Sequence, residues 1–123
     1  MRPVARMLYV VVAWLLVAGL VVQVWLAGRG IFDIGFDAHR QFGYMLSILP
    51  LVLLVLGVLA GMGRRAAGIA AAIFLLFIVQ SILVALRDTQ PPVAALHPVN
   101  GFLILLLSIV LVREAMLQRT ATA

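Results

Sequence analysis

The chain has 123 residues, of which 66% are hydrophobic and 11% charged. A soluble domain is about half apolar and about a quarter charged, so this composition excludes an ordinary soluble fold and predicts one integral membrane domain over residues 1–123. Cysteine is absent, which excludes disulfides, iron–sulfur clusters, thiolate metal sites and covalent haem attachment, and the net charge of +5 comes from arginines scattered at segment ends, a pattern of membrane topology rather than of nucleic-acid binding.

In chain order, a basic head carrying Arg2 and Arg6 precedes an uncharged run over residues 7–27. At about 1.5 Å per residue this run matches a hydrocarbon core roughly 30 Å thick. A signal peptide has a shorter apolar core and a small-residue cleavage site, so the run reads as an uncleaved span. Residues 28–38 mix Arg29, Asp33 and Asp37 with Phe32 and Phe36 and read as a loop lying in the membrane interface. The second span covers residues 39–60. Pro50 within it removes one backbone hydrogen bond and is expected to kink the helix. Gly57 and Gly61 form a Gly-x-x-x-Gly step, either a close helix–helix approach or chance in a glycine-rich span.

Arg64 and Arg65 mark a tight turn over residues 61–66. The third span covers residues 67–86 and opens with Gly68 and Ala72, a plausible packing partner for the glycines of the second. After a connection ending in Pro91 and Pro92, the fourth span covers residues 93–112, with Arg113, Glu114 and Arg119 in a polar tail. Arg2, Arg6, Arg64, Arg65, Arg113 and Arg119 fall on one side, while Arg29, Arg40 and Arg87 on the other are offset by Asp33, Asp37 and Asp88. The positive-inside rule then places both termini in the cytoplasm of a cell whose inner (plasma) membrane holds the protein.

The rare polar residues repeat. Gln23, Arg29, His39 and Gly43 reappear as Gln80, Arg87, His97 and Gly101, at offsets of 57, 58, 58 and 58 residues. The expected fold is an all-α membrane protein, a four-transmembrane-helix up-down bundle built from two repeated helical hairpins related by an axis along the membrane normal. In such a bundle the second and fourth spans lie diagonally and run in the same direction, so His39 and His97 share one depth on opposite walls.

Two facing histidines supply both axial nitrogens of a haem iron. A glycine at i+4 shares the histidine's helix face, so Gly43 and Gly101 would leave room for a flat porphyrin. Arg40, Arg87 and Arg29 stand where propionates would emerge; the plainer reading of each is an exposed pair with a neighbouring aspartate, which is favoured for any single arginine. Gln23 and Gln80 either face the pocket or hydrogen-bond between helices. Asn100 is placed to cap or orient the His97 imidazole. The plainer reading of the histidines is an interfacial side chain bonded to a carbonyl or a headgroup. Zinc wants three or four protein ligands, and no carboxylate lies within the spans. No catalytic constellation is visible.

The paired His-x-x-x-Gly motifs at the outer ends of the second and fourth spans resemble one four-helix half of the haem A synthase family, and the resemblance covers essentially the whole chain by pattern. It implies His39 and His97 as axial haem ligands. The cysteine pair in the outer loop of many members is missing here, so the implied property is haem binding rather than oxidation of a haem methyl. The Leu-His-Pro-Val-Asn stretch at residues 96–100 is also similar to that of small four-span bacterial membrane proteins without assigned activity. The expected function is a cytochrome b-like protein holding one haem b for electron transfer or haem handling, with a membrane redox partner. The alternative is a haem-free accessory or structural subunit of a larger membrane complex.

Overall fold

The computed structural model describes residues 2–120; Met1, residues 121–123 and the side chains of Ile34, Arg119 and Thr120 lie outside that description. The described chain is helical: α1 (Arg2–Arg29), a π-helical turn (Gly30–Ile34), α2 (Asp37–Leu46), α3 (Leu49–Ala60), α4 (Arg64–Ala85), the single turn α5 (Pro91–Ala94) and α6 (His97–Thr120). Four stretches, with α2 and α3 counted together, are long and apolar enough to cross a membrane.

Each long helix buries a narrow stripe and leaves apolar side chains on its other faces. In α1 the stripe is Ala5, Tyr9, Ala13, Leu16 and Leu20, while Trp14, Leu15, Val21 and Trp25 are exposed. The stripes of α3, α4 and α6 centre on Leu53 and Ala60, on Ala66, Ala70 and Ile73, and on Ile104, Leu111 and Ala115. A three-to-four residue spacing of buried positions is the signature of one helix face. Around the bundle α1 packs on α3 and α6, and α4 packs on α3 and α6. The second and fourth apolar stretches are therefore diagonal, as the up-down order requires.

The structure adds local detail at three places, and at the first it corrects the expectation. Residues 28–38 are not a loop. Helix α1 runs to Arg29, the π turn continues to Ile34, and an Arg29–Asp33 ion pair one turn apart spans the junction. The chain reverses only at Gly35, whose φ of 70° is open to glycine at little cost, and at Phe36. Pro50 interrupts the second apolar stretch, as a proline in a helix is expected to. It sits in the first turn of α3, and the helix is broken at Ser47 and Ile48, where bonds shorten to Ile48 N–H on Met45 O and Leu51 N–H on Ile48 O. The Ser47 hydroxyl donates to Tyr44 O at 2.7 Å, satisfying one carbonyl released there. The polar tail is helix as well, since α6 continues to Thr120.

The expected small-residue contact also differs. Gly57 packs on Tyr9 of α1, where an added Cβ would meet the ring at 3.3 Å. Gly61 is instead a helix stop at φ 67°, with Met62 N–H on Gly57 O and Gly61 N–H on Val58 O, the paired bonds of a Schellman motif. Arg6 Nε reaches across from α1 to donate to Ala60 O at 3.1 Å. Gly68 faces open space, and the small residues that bring α4 into the bundle are Ala66 and Ala70, both fully buried.

Candidate functional site: a two-histidine cavity

The break at Ser47 and Ile48 divides the second apolar stretch into two parts with different neighbours. Helix α3 packs on α1 and α4, whereas α2 packs on α1 and the π turn. Between α2 and the facing walls of α4 and α6 lies a cavity of about 630 Å³, within the range of small-molecule and cofactor sites. Its walls are mainly apolar, with Leu20, Phe77, Ile104 and Phe102 among them, and its polar lining includes Gln23, His39, Gln80 and His97.

His39 lies in the first turn of α2 and His97 opens α6. Both are half-buried. Their ring centres are 6.1 Å apart with the planes inclined at 63°, and Phe36 stands edge-on to His39 at 6.2 Å. The two imidazoles are held alike. His39 Nδ1 lies 3.0 Å from Gln23 O, and His97 Nδ1 lies 3.3 Å from Gln80 O. A carbonyl only accepts, so each Nδ1 carries the proton and donates. Each neutral ring then keeps its lone pair on Nε2, the nitrogen available to a metal.

The glutamine side chains differ. Gln23 Nε2 donates to His39 O at 2.8 Å, and Gln23 Oε1 is buried without a hydrogen-bond partner. Gln80 Nε2 lies 3.2 Å from His97 Nε2, and its Oε1 accepts from Asn100 Nδ2 at 2.6 Å. Asn100 Nδ2 also donates to Leu76 O at 2.9 Å, and Asn100 is only 8% exposed. Asn100 therefore orients Gln80 rather than touching the imidazole.

Gly43 and Gly101 line the cavity, and each also stands beside a glutamine amide. A Cβ on Gly43 would lie 2.6 Å from Gln23 Nε2, and one on Gly101 would lie 3.4 Å from Gln80 Nε2. Gly43→Ala should displace the Gln23 amide and lose its bond to His39 O, about 1 kcal/mol, while Gly101→Ala meets ordinary contact. Both gain similar helix propensity. The Gly101→Ala protein should thus be the more stable of the two by about 1 kcal/mol, read from unfolding titrations in mixed micelles.

Arg40 and Arg87 lie at the cavity rim. Arg40 pairs with Asp37 at 2.7 Å and Arg87 with Asp88 at 3.4 Å, all on exposed side chains. Arg29 pairs with Asp33 and lies over the Trp25 ring at 5.4 Å. Exposed pairs of this kind are weak and exchangeable. Among the described residues no three His, Cys, Asp or Glu side chains gather to hold a bare metal ion.

What fold and site define is an all-helical bundle of four apolar stretches with a two-imidazole cavity at one end. The chain belongs to the family of unknown function DUF6220, which it matches over residues 23–87. The matched stretch includes Gln23, His39, Gly43 and Gln80 and stops short of His97. No curated protein and no solved structure matches the chain. The glutamine–asparagine link was the part of the site least visible in the sequence. Its one signal was the recurrence of Gln with His and Gly at a common offset.

Proposed function

We propose that this protein is a small integral membrane cytochrome b-like protein that binds one haem b between His39 and His97, for electron transfer or haem handling. The observation that carries this reading is the pair of imidazoles 6.1 Å apart, each with Nδ1 on a backbone carbonyl. Metal–nitrogen bonds of about 2 Å put the ring centres of two opposed imidazoles roughly 6 Å apart. The backbone carbonyls fix the tautomer that leaves Nε2 for iron and raise its basicity. The apolar walls suit a porphyrin face, and Arg40 and Arg87 at the rim suit its propionates. In the cavity as described, the Gln80 amide rests on His97 Nε2 and must move aside for ligation.

A haem held by His39 and His97 would supply one-electron chemistry. The chain's own residues would hold it and exclude water. The resemblance of the paired His-x-x-x-Gly motifs to one half of a haem A synthase supports the same reading. So do the matching Gln–His–Gly contacts of the two halves, which favour a fold made of two repeated hairpins. The apolar outer faces of all four stretches support insertion in the lipid bilayer of the inner membrane. The arginine distribution supports cytoplasmic termini, which puts the cavity near the outer face, where a membrane redox partner would meet it.

A second reading is a haem-free accessory subunit of a larger membrane complex. Its support is that the Gln80 amide satisfies His97 with no ligand needed. A reduced-minus-oxidised visible spectrum of the purified protein, expressed with adequate haem supply, separates the two. The cytochrome reading expects the sharp α and Soret bands of a six-coordinate haem at about one haem per chain. A featureless spectrum would overturn it.

A further inference from the structure

The cavity is symmetric in its imidazoles but not in what covers them. On the α6 side a chain of amides runs from Leu76 O through Asn100 and Gln80 to His97 Nε2, with separations of 2.9, 2.6 and 3.2 Å. Its direction follows from donor counting. Asn100 Nδ2 donates to both Leu76 O and Gln80 Oε1, so the opposite end of the Gln80 amide, its N–H, faces the imidazole. On the α2 side the corresponding glutamine is turned away. Gln23 Nε2 is engaged by His39 O, and among the described residues nothing bonds His39 Nε2.

We infer that the Asn100–Gln80 pair is a latch on His97, so that a metal-bearing ligand engages His39 first and His97 only after Gln80 lets go. The order rests on the haem reading above, whereas the latch is a property of the ligand-free protein. Gln80 is a positioning residue here, since it acts by occupying the lone pair that ligation needs. A hydrogen bond worth about 1 kcal/mol that must be broken before a lone pair can react slows that reaction by about fivefold. Both imidazoles are half-buried, so the variants Gln80→Leu and Asn100→Ala, which leave His39 untouched, separate the latch from a difference in exposure.

The test uses the whole chain in detergent, without haem. Diethyl pyrocarbonate acylates neutral imidazole through its lone pair, and mass spectrometry of peptides gives the rate at each histidine. His39 should react about fivefold faster than His97. Gln80→Leu removes the donor, and Asn100→Ala frees the Gln80 amide. Either should raise the His97 rate towards that of His39 while leaving His39 unchanged. Equal rates in the unmodified chain, or no change at His97 in both folded variants, would overturn the latch.

A second arm adds ferric protoporphyrin and follows the spectrum after mixing. A fast high-spin phase should give way to a slower low-spin phase, and Gln80→Leu should speed only the second. One phase of equal rate in both proteins would overturn the ordering. The arms separate the two readings. The expected reactivities without any porphyrin uptake would overturn the haem assignment and leave the latch standing. Uptake with equal reactivities would do the reverse.

Discussion

The His97→Ala protein should purify with about a tenth or less of the haem carried by the unmodified chain, and what remains should lack the low-spin spectrum. Alteration of groups that merely orient a metal ligand already costs about 10–100-fold in affinity, so loss of the ligand itself sets that range as a lower bound. The substitution is also mild for the fold. His97 is half-buried at the start of α6, next to Pro98, whose fixed φ suits a first helical turn. The variant should therefore keep its helical content, which circular dichroism would establish. Added imidazole should restore the low-spin bands, because alanine leaves a space of the shape removed beside the Gln80 carbonyl. Unchanged haem content in the variant would sink the bis-histidine assignment. The matching His39→Ala variant should lose the same bands, since the two imidazoles contribute equally to a pair of axial bonds.

The second large effect concerns packing. Ala70→Leu should destabilise the bundle by about 1–3 kcal/mol, while Gly68→Ala, two residues away, should stabilise it by up to about 1 kcal/mol. In lipid the medium around separated helices is as apolar as the interior, so burial alone does not hold helices together and close fit does. Ala70 is fully buried in the core to which all four apolar stretches contribute, and three extra heavy atoms there must push helices apart. Gly68 has nothing within 4 Å of an added Cβ, so alanine adds helix propensity without collision. Unfolding midpoints of the two variants in mixed micelles would check both signs. Equal destabilisation by the two would mean that Gly68, like Ala70, faces a neighbouring helix.

The long apolar stretches were legible because backbone groups in hydrocarbon must be bonded within the helix, and that demand writes uninterrupted charge-free runs into the sequence. The diagonal placement of the second and fourth stretches followed from short connections alone. The meeting of His39 with His97 followed from their common offset. Other features hung on contacts that one-dimensional spacing does not carry. Gly57 and Gly61 satisfy a helix-dimer motif on paper, yet Gly57 accommodates the Tyr9 ring and Gly61 ends a helix. Gly43 and Gly101 stand one turn after each histidine, and spacing alone did not show that Gln23 and Gln80 reach them. The helical course of residues 28–34 was obscured by its charges, because Arg29 and Asp33 look like loop residues until their pairing across one turn is seen. Arg40 and Arg87 pair with Asp37 and Asp88 and also line the rim.

The break at Ser47 and Ile48 bears on how the two walls of the cavity are held. Helix α6 runs unbroken from His97 to Thr120, and its buried stripe is locked between α1 and α4. Helix α2, ten residues long, is fastened mainly along one side. Short elements with few partners open at lower free energy than the body of a fold, so the His39 wall can detach for moments while the His97 wall stays in register. A guest gripping both imidazoles would act as a rivet, joining a hinged flap to a fixed frame. By mass action its occupancy would suppress the flap's excursions far more than it would raise the resistance of the frame, and amide protons of α2 would record the difference as slowed exchange with solvent.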